Sequence, residues 1–317
     1  MPASRPSYTP VDLSQVRTRP LGERTNKVDR SQFARPGQAG RSVADLLAGL
    51  PQQLGARDLL QVVAAVVTAY RRGKPVIWGM GGHVIKTGIS PLIIDLMQRG
   101  VVRALALNGG ASIHDVEIAL IGATSEDVQA GLRDGSFGMW EETGRFYNRA
   151  VNERRGGLGR RLGEALLADQ APNCDLSVLA TAAALGIPAT VHLTLGADIV
   201  HMHPEADGAR LGEATFEDFR LLAAVVADLG NGGVYLNVGS AVALPEVFLK
   251  ALTVARNLGH RVEQFTTANF DMLSHYRPLQ NVVRRPTEGV GQGFSLLGQH
   301  EVLLPLFYQA IIEQVGA

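Results

Sequence analysis

Cysteine is nearly missing from this sequence. Cys174 stands alone among 317 residues, so the chain can form neither an internal disulfide framework nor a cysteine zinc site, and a reducing, cytoplasmic setting is expected. Lysine is almost as scarce: only Lys27, Lys74, Lys86 and Lys250 occur, and arginine supplies the rest of the 30 basic residues. Thirty acidic residues balance them, which removes the one-signed field that would draw the chain to nucleic acid or an anionic membrane. No apolar stretch approaches the roughly 18 uninterrupted residues that mark a membrane span. The opening MPASRPSYTPVDLSQ also lacks the apolar centre of a signal peptide. Trp78, Trp140 and the other aromatics read as core or interface packing rather than a base-stacking platform. These absences leave a small, locally gripped ligand as the expected partner.

What is present is enough apolar material for a full core, at 46% of residues. Residues 1–40 mix Pro, Arg, Ser and other polar residues and read as an extended arm, either disordered or wrapped on a neighbouring subunit. From Ser42 the spacing of Val43, Leu46, Leu47 and Leu50 predicts a helix, and a second follows over Asp58–Tyr70. After Gly73, short β-rich runs alternate with longer helical ones, the pattern of a parallel sheet with crossover helices. Strands are expected at Pro75–Met80, Ala104–Asn108, Pro188–Leu195, Gly233–Val238 and Arg261–Thr267, each apolar almost throughout as in strands covered on both faces. Helices are expected near Ser90–Arg99, Ile113–Gly122, Ser177–Leu185, Thr215–Leu229, Leu244–Leu258 and Val302–Val315. Thr124–Asp169 is a helical insertion with a glycine-rich loop at Arg154–Gly159. The fold class is therefore α/β, a Rossmann-like parallel sheet with helices on both faces, in one large domain over 41–317 preceded by the arm.

In such a sheet, ligands bind beyond the carboxyl ends of the strands. Five polar or glycine-rich clusters fall there: Gly79–Gly88, Asn108–Asp115, Gly196–His203, Asn237–Ser240 and Thr266–Asp271. In the first two, glycines lie between a strand end and a helix start, where backbone N–H groups can approach an anion. Neither matches GxGxxG or a Walker loop, and tight packing alone also demands such glycines. His114-Asp115 offers a proton relay or a ribose contact, or Asp115 is only an early-turn charge. His201 and His203, with His192, suggest a metal-dependent hydrolase or lyase if Asp198, Asp115 or His114 supplied a third ligand. Glu246 opens the helix after Asn237–Ser240, where a carboxylate can hold an amine. Arg284-Arg285-Pro286 reads as a surface turn or an anion clamp.

Gly82-His-Val-Ile-Lys-Thr-Gly88, the strand ending in Asn108-Gly-Gly110 and the following His114-Asp115 together resemble the deoxyhypusine synthase family. The likeness runs from about Gly73 to the C-terminus. It implies an NAD site touched by Gly82, Lys86-Thr87-Gly88 and Asn108-Gly109-Gly110, with Asp115, Gly239-Ser240, Thr267 and Asp271 also on the cofactor. It further implies a homotetramer that shares active sites between subunits. Two features depart from the family. Tyr276–Phe294 has no lysine where the family carries its imine-forming one, and Ala243-Leu244-Pro245 stands where paired histidines are usual. A second, shorter likeness joins Asn108–Glu117 and Gly122–Ser125 to NAD-dependent ornithine cyclodeaminase domains.

The two likenesses imply an NAD-dependent enzyme, not a true deoxyhypusine synthase, that oxidises a small cationic amine, polyamine or amino acid to an imine, which is then transferred, eliminated or cyclised. Asp198, Glu246 and Asp271 would hold the substrate, and His114 or His201 would move the proton. A non-catalytic nucleotide-binding protein is the other alternative beside the metal-dependent one.

Overall fold

A computed structural model describes residues 7–316. Residues 1–6 of the expected arm lie outside the described residues; the rest of it runs extended, broken only by single 3-10 turns, with Tyr8, Val11 and Leu13 exposed. The chain then enters α1 (Val43–Gly49), started by a capping box in which Ser42 and Asp45 satisfy each other's backbone N–H. α2 (Leu54–Arg71) follows and buries Leu59, Val62, Val63, Val66 and Val67 at helical spacing.

Six strands form one sheet: β1 (Val76–Met80), β2 (Ala104–Asn108), β3 (Ala189–His192), β4 (Val234–Val238), β5 (Thr266–Asp271) and β6 (Gln292–Leu297). Their order is β3-β2-β1-β4-β5-β6 and every pairing is parallel. The chain winds outward from β1 to β3, then returns to the centre with β4. The carboxyl ends of β1 and β4 are therefore the topological switch point, the place at which such sheets bind ligands.

Period-2 alternation divides the core. Val76, Trp78, Met80, Leu105, Leu107 and Phe270 face one layer, and Ile77, Ala104, Ala106 and Tyr235 face the other. On the first face lie α2, α4 (Ser90–Gln98), α5 (Gly109–Ile121), α9 (Val178–Leu185) and α13 (His300–Val315); on the second lie α10 (Gly208–Ala227) and α11 (Ala243–Asn257). The short α3 (Gly82–Lys86) sits directly beyond β1. The insertion resolves into α6 (Val128–Asp134), α7 (Glu141–Glu153) and α8 (Leu158–Ala168), while α12 (Tyr276–Pro278) continues as a π turn over Leu279–Arg284.

Two expectations are corrected. The fifth strand lies at Thr266–Asp271, not Arg261–Thr267. Residues 261–265 form the approach to it, where Gln264 adopts a left-handed backbone and the Glu263 carbonyl accepts from Asn231 N. TTANFD is largely buried but four of its six residues are polar, so a search for apolar runs passes over it. β6 was not foreseen at all, because a glycine-bearing edge strand with exposed ends carries little apolar signal.

Candidate functional site

Beyond β2 the backbone turns straight into α5. Asn108 caps it, its Oδ1 accepting from Ala111 N at 2.8 Å. Gly109 is next, and a Cβ there would collide with the carboxylate of Asp198. Asp198 closes the turn after β3, with Oδ2 accepting from Thr194 N at 2.7 Å. Burial raises the Asp198 carboxyl above its ordinary value, partly offset by the Thr194 N–H and the charge of His201.

One helical turn along α5, His114 Nδ1 lies 2.7 Å from the Thr124 hydroxyl. That hydroxyl donates to Glu117 Oε2, and Glu117 Oε1 accepts from Thr143 Oγ1 at 3.2 Å. A hydroxyl that gives its proton to Glu117 must accept from Nδ1–H, which fixes the tautomer and leaves Nε2 as the ring's free base. Burial would raise the Glu117 carboxyl, but the His114 ring, with Nδ1 3.6 Å from Oε2, and the hydroxyls of Thr124 and Thr143 outweigh it and hold the pKa low.

These groups line a cavity of about 210 Å³ together with Lys86, Gly110, Ser125 and Glu126, over apolar Ile113 and Phe137. A second cavity of about 370 Å³ adjoins it through Glu117, Ser125 and Glu126 and is walled by Trp140. Glu126 fastens the segment between them, Oε1 accepting from Gly138 N at 2.9 Å and Oε2 from Trp140 Nε1 at 2.8 Å.

The other half of the carboxyl edge is closed. Gly81 and Gly239 press together so that a Cβ on Gly81 would strike the Gly239 carbonyl, while Gly239 itself adopts φ 62° against the His300 ring. Ser240 Oγ accepts from Leu244 N at 3.2 Å. Asp271 ends β5, with Oδ1 accepting from Met272 N and Oδ2 buried without a partner. His83 and His300 lie with ring centres 5.2 Å apart, and His300 Nδ1 is likewise buried and unpartnered. Burial first, then the nearby charges of His300 and Lys86, lowers the pKa of His83.

Of the residues expected at the site, His114, Asp198, Lys86 and Gly110 meet in one cavity, with Asn108, Gly109 and Gly82 forming its packing; Gly82 is pressed against His114. Others serve elsewhere. Asp115 points away, its carboxylate accepting from Ser177 Oγ, Val178 N and Leu179 N and so capping α9. Thr87 Oγ1 donates to the carbonyls of His83 and Val84, ending α3, and Gly88 follows with φ 75°. Thr267 stands near the amino end of β5 because that strand starts later than expected, and its hydroxyl donates to Val282 O. Glu246, on α11, is engaged by Lys250 of the same helix and by Arg277 and Asn281 of the α12 and π-turn segment. Arg285 Nη1 donates to the same Asn281, so Arg285 belongs to this network rather than to an anion clamp.

The histidines do not form a metal centre. His201 lies on a 3-10 turn with both ring nitrogens buried and unpartnered, His203 Nε2 pairs with Gly138 O, and His192 Nε2 pairs with Thr190 Oγ1. Among the described residues no three His, Cys, Asp or Glu side chains converge on a point that could hold an ion. Glu117, Thr124 and Glu126 were not foreseen as site residues. The i, i+3 spacing of His114 and Glu117 is the signal that could have placed Glu117 there.

No protein-family model matches the sequence, and no curated protein matches it either. Solved structures do. A conserved protein of Methanococcus maripaludis S2 assigned as LOR/SDH superposes with a TM-score of 0.53 at 13% identity, over 82% of this chain and 70% of its own. An Entamoeba histolytica protein assigned as a deoxyhypusine synthase gives 0.52 at 10%, over 86% and 93%. The chain has a deoxyhypusine synthase-like fold. AgrE, solved as a ternary complex with ornithine and NAD+, shares that fold at a TM-score of 0.52 and 15% identity over 80% of this chain. This chain spans about a third of AgrE, 32%. No helix among the described residues is long and apolar enough to cross a membrane.

Proposed function

We propose that this protein is an NAD-dependent enzyme acting on a small amine or amino acid, oxidising its carbon–nitrogen bond to an imine. The observation that carries the reading is the cavity beyond β2 and β3, where a carboxylate with an open oxygen, Asp198, shares a wall with a histidine whose free nitrogen is set by Thr124 and Glu117. Asp198 receives the ammonium. His114 Nε2 takes the nitrogen-bound proton that must leave as the imine forms, and the Glu117 carboxylate stabilises the imidazolium so produced. The apolar floor limits water and strengthens both interactions.

At about 210 Å³ the cavity is below the roughly 300–1,000 Å³ of pockets for drug-sized ligands and suits the substrate, not a dinucleotide. The switch point beyond β1 and β4 is where sheets of this topology hold a cofactor. Asp271 Oδ2, at the end of the neighbouring β5, is a buried acceptor without a donor, which a ribose hydroxyl would satisfy. A nicotinamide bound there would take up the substrate's hydride. The fold shared with AgrE, a protein solved with ornithine and NAD+, supports the same reading.

Calorimetric titration with NAD, followed by a screen of the complex for reduced-nicotinamide absorbance against ornithine, lysine, putrescine and spermidine, tests it. Saturable binding with a substrate-dependent absorbance rise is expected. A protein that binds no nicotinamide cofactor would end this reading.

A further inference from the structure

We infer that the cavity selects a zwitterion, with Lys86 receiving a carboxylate and Asp198 the ammonium, so that the substrate is an amino acid rather than a plain amine. This rests on the reading of the cavity as the amine site. Charge already spent inside the protein separates the free groups from the occupied ones. Glu117 is held at both oxygens by Thr124 and Thr143, and Glu126 at both by Gly138 N and Trp140 Nε1. Asp198 commits only Oδ2, to Thr194, and its Oδ1 is not among the buried unpartnered atoms, so it is open to the cavity.

Lysines follow the same division. Lys74 is paired with Asp228 and Lys250 with Glu246. Lys86 shares its cavity with three carboxylates, yet among the described residues it makes no ion pair with any of them. One open cation and one open carboxylate oxygen therefore remain in about 210 Å³. A plain amine would bring a second positive charge beside Lys86, and a simple carboxylic acid would leave Asp198 uncompensated at a partly apolar site. An amino acid answers both, and its aliphatic carbons meet Ile113 and Phe137. Lys86 thereby moves from the cofactor, where the family likeness puts it, to the substrate.

The test compares amino acids with their decarboxylated partners by calorimetry, with and without NAD: ornithine with putrescine, lysine with cadaverine, norvaline with butylamine. At least one amino acid should bind about 10- to 100-fold tighter than its amine, the range for a charge-assisted hydrogen bond. K86M should erase most of that ratio, K86R should keep it, and both should retain the wild-type affinity for NAD. The inference is overturned if the amines bind as well as the amino acids, if no member of the panel binds, or if K86M weakens NAD tenfold while the amino acid to amine ratio stands. Amino-acid binding by a protein that ignores NAD would leave this inference standing and remove only the redox reading.

Discussion

Beyond the ends of β2 and β3, charged side chains stand open in a cavity; beyond the ends of β4 and β5, polar groups are packed until their own valences go unfilled. Asp198 and Lys86 keep a free charge each, whereas Asp271 Oδ2, His300 Nδ1 and Asn237 Oδ1 are buried with nothing to bond; on the open side His201 alone, on the turn after Asp198, shares that condition among the described residues of the carboxyl-end turns. Both halves are rich in glycine, for different reasons. On the closed side a Cβ on Gly81 would strike the Gly239 backbone and one on Gly239 the His300 ring; on the open side Gly109 is pressed against the Asp198 side chain, but its neighbour Gly110 has no atom nearer than 3.7 Å to the place a Cβ would occupy. Glycine content alone therefore does not mark a ligand cradle, and the space around each glycine does.

Replacing these glycines gives the largest contrast. G81A drives a methyl into the Gly239 carbonyl and should cost about 3 kcal/mol or more of unfolding free energy, as overpacking of a rigid contact does. G110A removes a flexible residue from a helix with room to spare and should be neutral or stabilise by roughly 0.5–1 kcal/mol. Urea unfolding of the two variants measures both. Equal losses would mean that the two halves are packed alike and would remove the contrast.

This contrast also bounds what the sequence alone can tell. The first four strands, the order of helices and the carboxyl-end clusters follow from apolar runs and periodicity, and His114 and Asp198 come from reading those ends. Thr267 is misplaced by the sequence reading because β5 is mostly polar and its start cannot be fixed from an apolar run. Asp115 and Glu117, two residues apart on α5, point in opposite directions: one caps α9 and the other faces the cavity. Spacing on a helix fixes their divergence, yet which face meets the cavity depends on the packing of α5 against α9 and α7. Glu246 looked free because the partners that occupy it, Arg277 and Asn281, come from a distant turn.

The open half rests on two buried carboxylates, and pH separates its scaffold from its site. Burial pushes the Asp115 carboxyl up to about 6 and that of Asp218 to about 7, despite backbone N–H groups donated by α9 in one case and by α8 and β3 in the other. A carboxyl with a raised folded pKa binds its proton more tightly in the native state, so stability is highest below about 4, its unfolded value, and falls as pH rises toward 6 and 7. The loss from Asp115 is on the order of 3 kcal/mol by 1.36 kcal/mol per unit. Urea midpoints measured from pH 4 to 8 should fall less steeply in D115N and D218N than in the wild type. Parallel slopes in all three proteins would show both groups to be ionised throughout.

Ligand contacts come next in size. D198N removes the open charge of one half and should weaken amine or amino-acid binding about 10- to 100-fold, the worth of one charged hydrogen bond. D271N, on the closed half, should change that affinity less than about twofold and act instead on NAD. Calorimetry with both ligands on both variants tests the division of labour, and a shared loss on each would merge the halves into a single site.

The smallest effect belongs to Glu246, which lies near the closed half but faces outward. Its carboxylate bonds exposed Lys250 within α11, the buried Asn281 of the π turn at 2.8 Å and exposed Arg277 at 3.4 Å. The Lys250 hydrogen bond is the main reason its pKa is lowered. Exposed pairs of this kind contribute roughly 0–1 kcal/mol and are screened by salt. E246Q should therefore lower stability by no more than about 1 kcal/mol, with a difference from wild type that shrinks in 0.5 M sodium chloride, and should leave amino-acid and NAD affinities as they were. A tenfold loss of amine binding in E246Q would mean that this carboxylate is shared between its cations and the substrate, and the ligand site would then have to extend across the switch point to α11.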